Sequence, residues 1–496
     1  MSEINDNRND NNEIAETSPL LPDNNAPQHV VLDDDDDDAA KWSTEAIRTA
    51  SLAVMILILY AFADVLKYTA TVQLIEVGVC REHYPNTDTS ANHEFCKSPP
   101  VQQELAHLRG YLSALEAIVG LVLTLPYGLL VGRLGEPLLA GVNVVGYLLS
   151  CAWLVVVCFY HNVFPIWTVV LSPLWRVVGG GSPFFMSVIY SITAKHVPAA
   201  NRSLCFFLFM AAQLCTEIVA IMLAATLLER DHPFVSMILN FPLGLLCLVA
   251  IFMLRSDTSQ TDPADDGNDL TKEPADFISS VRRSLNILPQ LFHNRYLLVL
   301  LSTVPVAKML NPVMELMFQY IPRKFDVSLA WTSRIFSIQA FESLIFLIVV
   351  LPLAKRIAQA RFHISSKKVD LSIAQYGFTI MVLGCLIMAS AQSVLLFILG
   401  FLLFTTGCST RPALQSVLAD LVSPEHVAVL YTVIAVGDGV GSAVGALILN
   451  RSLAVAIGWD DSFYLGFPFL LAAACFMFGL VGALFANRAL RAGLNV

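Results

Sequence analysis

Long apolar stretches follow one another along this chain, about a dozen of them, and constrain its fold more than any other feature. A helix needs about 20 apolar residues to cross a hydrocarbon core of about 30 Å, and such runs recur from Ile47 to Ala486. Only 14% of the residues are charged, against about 25% in typical soluble domains. A soluble globule this apolar would expose large hydrophobic patches, which lipid covers in a membrane protein. The pattern predicts an all-α membrane protein.

The apolar runs form two groups of six predicted helices, and a polar linker at residues 255–293 separates the groups. Residues 277–291 of this linker are expected to form an amphipathic helix. The predicted helices lie at 47–76, 110–131, 138–160, 165–194, 203–228 and 233–254, and at 296–321, 331–353, 371–390, 394–420, 426–449 and 463–487.

Prolines recur at nearly one spacing in the two groups, which indicates a duplicated six-helix unit. A proline removes a backbone donor, so the Leu-Pro pairs are expected to end predicted helices 2 and 8. Paired six-helix halves are the build of a large class of transporters. The spacing is 226 residues for Leu125-Pro126 with Leu351-Pro352 and for Pro198 with Pro424, and 229 residues for Pro183 with Pro412.

The formal charge of −10 is concentrated near the N-terminus. Residues 1–45 hold 13 Asp and Glu against Arg8 and Lys41, and residues 33–38 are an unbroken run of Asp. Such a run repels itself, so we expect a disordered tail whose acidity argues neither for nor against nucleic-acid binding. No apolar run precedes Ala46, so we expect no cleavable signal peptide.

Lys and Arg predominate on one side of the membrane if both termini are cytoplasmic, and the positive-inside rule favours that orientation. The two-fold grouping and this orientation give five predicted parts. They are an acidic cytoplasmic tail (1–45), an N-terminal half (46–254), a cytoplasmic linker (255–295), a C-terminal half (296–487) and a cytoplasmic C-tail (488–496).

Two of the ten cysteines, Cys80 and Cys96, lie in one polar loop between predicted helices 1 and 2. The predicted orientation places this loop outside, where a disulfide could form, although spacing alone leaves two free thiols equally open. The other eight cysteines lie in apolar helices, where a thiol packs as a small hydrophobe.

The turn between predicted helices 2 and 3 carries a glycine-rich motif, Gly128-Leu-Leu-Val-Gly-Arg-Leu-Gly-Glu-Pro137. It resembles the G-x-L-x-D-R-x-G-R-K/R signature of the major facilitator superfamily. Gly128, Leu130, Arg133 and Gly135 match, whereas Gly132 stands where the family usually has Asp. Glycines permit a tight turn, and the resemblance implies that Arg133 contributes to a cytoplasmic gate. The alternative is a plain tight loop with one interfacial arginine.

A second match lies in predicted helix 4, where the sequence Trp175-Arg-Val-Val-Gly-Gly-Gly181 resembles the R-x-x-x-G pattern of that superfamily. An arginine within an apolar helix is costly, so Arg176 should face the bundle interior and find a partner. The resemblance implies a link to proton coupling. The alternative is a structural arginine that snorkels to the membrane interface.

Further ionisable residues within the predicted helices are candidates for proton coupling or for lining a substrate cavity. Asp64 and Lys67 are spaced to pair on one helix face. Glu217 has apolar neighbours and could carry a proton. Lys308 and Glu315 share a face on either side of a Pro break. The candidates, with Arg176, are Asp64, Glu116, Glu217, Lys308, Glu315, Glu342, Arg411 and Asp438.

The predicted outer loop, with Gln73-Leu-Ile-Glu76, Cys80-Arg-Glu-His-Tyr84, Cys96 and Val101-Gln102, resembles a group of fungal drug and secondary-metabolite exporters within the superfamily. This resemblance implies the major facilitator fold and proton-coupled efflux of hydrophobic small molecules by alternating access. Two alternatives stay open. One is symport uptake or vacuolar transport of a nutrient or organic anion, and the other is a non-transporting receptor or scaffold.

Small molecules, protons and the lipid bilayer are the expected partners of this chain, and we expect a monomer. No nucleophile triad, zinc spacing or nucleotide fingerprint is present, so we expect no enzymatic activity, cofactor, metal or nucleic-acid partner. Residues 16–21 fit an acidic dileucine sorting signal, but the plasma membrane is favoured over the vacuolar membrane. Asn450 lies in a sequon and is a candidate glycosylation site.

Overall fold

The computed structural model describes residues 44–85, 94–197, 199–230, 232–254, 295–362, 366–422, 427–459 and 464–491. Within these ranges there are no strands, and twelve helical spans are long and apolar enough to cross a membrane. The predicted tail, most of the linker with its amphipathic segment, Pro198 and Pro424 lie outside the described residues.

Six spans make up the N half and six the C half, and every predicted helix has a counterpart. The N half contains α1 (Thr44–His83), α2 (Pro99–Leu134), α3 (Glu136–Phe159), α4 (Ile166–Val177 and Gly181–His196), α5 (Ala199–Glu229) and α6 (Pro233–Ile238 and Asn240–Phe252). The C half contains α7 (Arg295–Lys308 and Leu310–Phe325), α8 (Leu329–Ile345, Phe346–Val350 and Leu351–Phe362), α9 (Ser366–Ser390), α10 (Val394–Thr405, Thr406–Ser409 and Thr410–Asp420), α11 (Val427–Gly458) and α12 (Phe467–Arg491).

The bundle has two ends, a linker end and a disulfide end. Helix α1 begins at the linker end, where α6 also finishes and α7 starts. It finishes at the disulfide end, where Cys80 and Cys96 form a disulfide in the described structure. Successive helices alternate in direction, so a residue's position along its helix gives its depth between the two ends.

Helices α1, α2 and α11 are longer than predicted at the disulfide end. Helix α1 continues to His83, α2 begins at Pro99 rather than near residue 110, and α11 continues to Gly458. The added turns carry polar residues such as Gln102 and Arg109, which the apolar-run criterion excludes. These side chains are buried by packing between the halves rather than exposed to lipid.

The Leu-Pro pairs do not end their helices, so that prediction is wrong. Pro126 lies inside α2. Pro352 follows a single π-helical segment, Phe346–Val350, and the helix continues to Phe362. A π turn before a proline accommodates the missing donor without ending the helix.

Helices α4 and α10 are interrupted at corresponding places. In each, a 3-10 segment precedes the last α-helical piece, and Pro183 and Pro412 are the third residues of those pieces. The break in α4 uses Gly179, Gly180 and Gly181, all at positive φ. The Asn143 amide of α3 donates to the carbonyl oxygens of Gly179 and Gly181, at 2.6 and 2.8 Å. The chain therefore leaves helical geometry where a neighbouring side chain satisfies its backbone.

Two large apolar cores hold the bundle together. One lies within the N half. The other fills the C half and also includes Val72, Ala106 and Ile221 of the N half. The halves meet most extensively where α2 packs on α11 and where α5 packs on α8.

Candidate functional site

Arg176 lies at the end of the first piece of α4 and is the centre of a charged cluster in the N half. Its side chain is 3% exposed. The guanidinium forms ion pairs with Glu116 of α2 at 2.9 Å and with Asp64 of α1 at 3.3 Å. It also donates to the hydroxyl of Ser182, just beyond the helix break. Arg176 thus finds interior partners, as the cost of an intramembrane charge requires.

Both carboxylates of this N-half cluster are accessible, unlike the arginine between them. The side chains of Asp64 and Glu116 are 48% and 39% exposed. Each binds the buried arginine near the middle of its own helix, so the accessible groups of this cluster are acidic. Lys67 pairs with Glu116 at 3.8 Å. The predicted Asp64–Lys67 pairing is therefore replaced by two pairings between helices.

Aromatic rings pack beside the basic groups of the N-half cluster. The Tyr147 ring lies 5.2 Å from the Arg176 guanidinium and 5.4 Å from the Lys67 ammonium. Its hydroxyl donates to Asn240 of α6 at 2.7 Å. The Tyr60 hydroxyl lies 3.2 Å from the Ser182 hydroxyl. The negative faces of such rings stabilise desolvated cations, so they hold the two basic groups in place.

A second charged cluster lies in the C half and consists of Lys308 (α7), Arg411 (α10) and Asp438 (α11). Arg411 binds Asp438 with two nitrogens: Nε donates to Oδ2 at 3.1 Å and Nη2 donates to the same oxygen. Arg411 is 43% exposed, whereas Asp438 is 11% exposed. Both act electrostatically on Lys308, as does Glu315 on the same helix.

Glu315 joins the two halves at a level nearer to the disulfide end than these clusters. One carboxylate oxygen accepts a hydrogen bond from Ser113 of α2 at 2.8 Å. Arg109 of α2 donates to the Glu315 backbone oxygen at 3.2 Å and to the hydroxyl of Tyr68. Tyr68 itself donates to that backbone oxygen at 3.1 Å. We call these four residues (Tyr68, Arg109, Ser113 and Glu315) the interhalf seal.

Further contacts between the halves continue from the seal toward the disulfide end. Gln319 donates to the backbone of Gln102, Arg323 to that of Lys97, and Gln103 to that of Ala454. Arg334 pairs with Glu229, and Arg451 donates to Tyr111. Polar groups of both halves are thus bonded to each other on that side of the seal.

Toward the linker end, the described part of α2 is not packed in this way. A methyl group added at Gly128 would meet no atom within 4 Å, so no neighbouring helix packs closely there. The Arg133 side chain lies outside the described residues. Gly135 has φ +83° and its N–H bonds to the carbonyl of Val131, which ends α2 in a tight turn. This is the geometry that its glycine predicts.

Sequence reasoning missed a contact at the linker end of the N half. Glu136 accepts hydrogen bonds from Ser191 at 2.6 Å and from Lys195 at 2.8 Å. Glu136 stands where the family signature has a basic residue. This departure from the signature was the signal in the sequence. The glutamate ties the start of α3 to the end of α4.

Two predicted candidates lie apart from the clusters. Glu342 accepts a hydrogen bond from Thr405 of α10 at 3.0 Å. Glu217 has no hydrogen-bond or ion-pair partner among the described residues. Neither residue takes part in the contacts that surround Arg176, Arg411 or the seal.

Asn450 is not a glycosylation site in this structure, and that prediction is wrong. Its side chain is 4% exposed, and its amide donates to Ala446 within α11. A methyl group at Gly110 of α2 would lie 2.9 Å from its Cβ. Because α11 continues to Gly458 and packs on α2, no space remains for a glycan.

The seal was also missed by sequence reasoning, although it contains Glu315. Tyr68, Arg109 and Ser113 are ordinary helix residues in sequence, and Arg109 falls one residue before the predicted start of α2. An arginine beside an apolar run was the only signal. Among the described residues, no group of His, Cys, Asp or Glu is arranged to hold a metal ion.

Comparison with known proteins is consistent with this architecture. A sequence model of the Major Facilitator Superfamily matches residues 98–366. The chain is 23% identical over 441 residues to the MFS transporter SAT21 of Stachybotrys chartarum, covering 84% of this chain and 92% of that protein. It is 25% identical over 403 residues to the efflux pump ustT of Aspergillus flavus, covering 77% of each.

A solved structure of a D-xylose–proton symporter has a TM-score of 0.58 at 13% identity, covering 89% of this chain and 97% of that one. At this identity the likeness concerns the fold alone. The family match extends over more than half of the chain and confirms the resemblance carried by the glycine-rich turn and by Arg176. This chain belongs to the Major Facilitator Superfamily and is a multi-pass membrane transporter, not an enzyme.

Proposed function

We propose that this transporter exports hydrophobic small molecules in exchange for protons by alternating access, with both termini in the cytoplasm. The observation that carries the proposal is the buried Arg176 between two accessible carboxylates. The similarity to ustT of Aspergillus flavus, an efflux pump, supports the direction. Positive residues near the linker end support the orientation, and the plasma membrane is the proposed location.

The N-half cluster can exchange a proton without losing its framework. With Asp64 and Glu116 both ionised, the Arg176 guanidinium is shared between them. When one carboxylate takes a proton, the arginine remains paired with the other, because both lie within 3.3 Å. The net charge of the space between the halves then changes by one. A proton and a substrate can therefore compete for the same space, which is the requirement for exchange.

The interhalf seal supplies the alternating step. Tyr68, Arg109 and Ser113 bind the segment of α7 that contains Glu315. Breaking these few hydrogen bonds would let the halves separate on the disulfide side, while the linker side closes. Polar bonds between halves suit such a step, since water can satisfy the same groups once they part.

A second candidate function is symport or vacuolar transport of an organic anion. Lys308 and the accessible Arg411 favour it, since both could bind an anionic group.

A receptor without transport has only the acidic tail in its favour. Deletion of residues 1–40 tests that reading, because a transporter should keep its transport rate.

Proton flux in liposomes tests the proposal. The purified full-length chain is reconstituted with a trapped pH dye, and gradients of lipophilic and anionic compounds are imposed. We expect protons to move against the compound. Co-directional movement would support the symport candidate instead, and no flux with folded protein would contradict both.

Variants of the N-half cluster locate the proton site. Asp64→Asn and Glu116→Gln should each reduce coupled flux at least tenfold, because the one carboxylate that remains must stay ionised to pair with Arg176. Glu45→Gln, at an exposed residue in the first turn of α1, is the matched control and should keep the flux. Glu217→Gln tests the separate prediction that Glu217 carries the proton. Unchanged flux in Asp64→Asn and Glu116→Gln would contradict the assignment.

A further inference from the structure

Lys308 is a basic residue in the middle of a membrane helix, and Asp438 and Glu315 act on it electrostatically without pairing with it directly. It forms no ion pair or hydrogen bond with the residues that the structure describes. By contrast, Lys67, a lysine within the first helix of the N half, pairs with Glu116. An intramembrane cation without a partner is costly, so an anion from outside the chain would stabilise it.

The two acidic neighbours of Lys308 are already engaged. Asp438 is bound by Nε and Nη2 of Arg411. Glu315 is held in the interhalf seal by Ser113. The C-half cluster itself therefore has two cations and one carboxylate, and the next carboxylate, Glu315, is shared electrostatically between Lys308 and Arg109.

The C-half cluster lies on the linker side of the seal, where it can be reached. Lys308 precedes Glu315 by two turns on a helix that begins at the linker end. Arg411 is 43% exposed despite its ion pair, and its Nη1 takes no part in the bonds to Asp438. Lys308 is partly exposed, so its ammonium and the unbonded edge of the Arg411 guanidinium are the groups of the cluster that a ligand could contact.

Close helix packing fixes the position of Lys308. A methyl group added to Gly441 of α11 would lie 2.2 Å from the backbone oxygen of Pro305, and one at Gly445 would lie 3.1 Å from Pro312. The segment of α7 that carries Lys308 is therefore pressed against the helix that carries Asp438. A site of this kind is preorganised, which reduces the cost of ordering it on binding.

We propose that Lys308 and Nη1 of Arg411 bind the carboxylate of an otherwise hydrophobic small molecule, so that the substrates are lipophilic organic anions. This inference rests on the proposed transport function and adds a substrate class to it. Lysine contributes a point charge and arginine a planar edge, and together they can hold the two oxygens of one carboxylate. The apolar remainder of the substrate would occupy the space between the halves.

The test uses two probes that differ only in charge, 1-naphthoate and 1-naphthamide. Binding to the full-length protein in lipid nanodiscs is measured by calorimetry, with empty nanodiscs subtracted. We expect at least a tenfold preference for naphthoate. Lys308→Gln should reduce this preference to twofold or less with naphthamide affinity unchanged, and Lys308→Arg should keep it. Lys195→Gln, at an exposed pair near the linker end, is the control and should also keep it.

Equal binding of the two probes, no naphthoate binding by folded protein, or an undiminished preference in Lys308→Gln would each overturn the inference. If Lys308→Gln does not fold, Lys308→Met replaces it. Proton flux separates this result from the parent proposal. A protein that exchanges protons for a neutral compound but lacks the naphthoate preference keeps the transport function and loses only the anion site.

Discussion

The arginines of the two halves lie at corresponding breaks, yet their surroundings differ. Arg176 is the penultimate residue of the 3-10 piece of α4 and is 3% exposed between two carboxylates. Arg411 follows the 3-10 piece of α10, is 43% exposed and binds one carboxylate. The N-half cluster balances its charges with Asp64, Lys67 and Glu116, whereas the C-half cluster keeps the excess charge of Lys308.

This difference teaches that a duplicated framework can carry two kinds of site. The frame is shared even at the linker end: Glu136 accepts from Ser191 of α4 at 2.6 Å, and Asp370 accepts from Ser416 of α10 at 2.7 Å. The charges placed on the frame are not shared. A balanced cluster suits proton exchange, and a cluster with excess positive charge suits an anionic ligand.

The largest expected effect comes from removing the buried arginine. Arg176→Leu leaves Asp64 and Glu116 without their shared partner. Because both carboxylates are accessible, the loss should lie at the lower end of the range of about 3–5 kcal/mol for a broken buried ion pair. Arg411→Leu should cost about 1 kcal/mol, since accessible pairs contribute little. Thermal unfolding in detergent measures both. Equal losses of stability would remove the contrast between the two clusters.

The disulfide distinguishes the N half further, since the C half has none among its described residues. Cys80 and Cys96 close a loop of 16 residues, for which chain entropy predicts about 3 kcal/mol. We expect Cys80→Ser and Cys96→Ser to lower the unfolding midpoint equally, and reductant to do the same to the wild type. Cys215→Ser, at an exposed free thiol, should change nothing. A midpoint insensitive to reductant would contradict this.

The glycines at the break in α4 give the next effect. Gly179 has φ +152°, and a methyl group there would lie 2.4 Å from Cα of Asn143. Gly179→Ala should destabilise by about 1–3 kcal/mol through backbone strain. Gly437→Ala should stabilise by about 0.5–1 kcal/mol, because its methyl group would make ordinary van der Waals contacts in α7, with Pro305 at 3.5 Å and Val304 at 3.6 Å. If both Gly179→Ala and Gly437→Ala raised the unfolding midpoint, the break in α4 would not depend on glycine.

The smallest effect is expected at the half-exposed pair between the halves. Glu229→Gln removes the ion pair with Arg334, whose side chains are 39% and 53% exposed. Such a pair contributes about 0–1 kcal/mol and is screened by salt. The unfolding midpoint should change little at low salt and not at all at high salt. A loss as large as that of Arg176→Leu would mean that this pair, and not the seal, holds the halves together.

Sequence reasoning predicted the twelve helices because a membrane imposes a long apolar run on each. It failed at the disulfide ends of α1, α2 and α11, where polar turns pack between the halves instead of facing lipid. It also placed Asn450 at a helix end, since a sequon gives no information about the helix that will cover it. Packing between distant segments decides both points.

The sequence by itself determined the class, the two-fold plan and the identity of the intramembrane charges, because each follows from local composition. Only the tertiary structure decided the pairing of those charges. Lys67 is three residues from Asp64 yet pairs with Glu116, and Arg109 reaches Glu315 across 206 residues of chain. Partners within a membrane are chosen by which helix faces are brought together, and that information is not local.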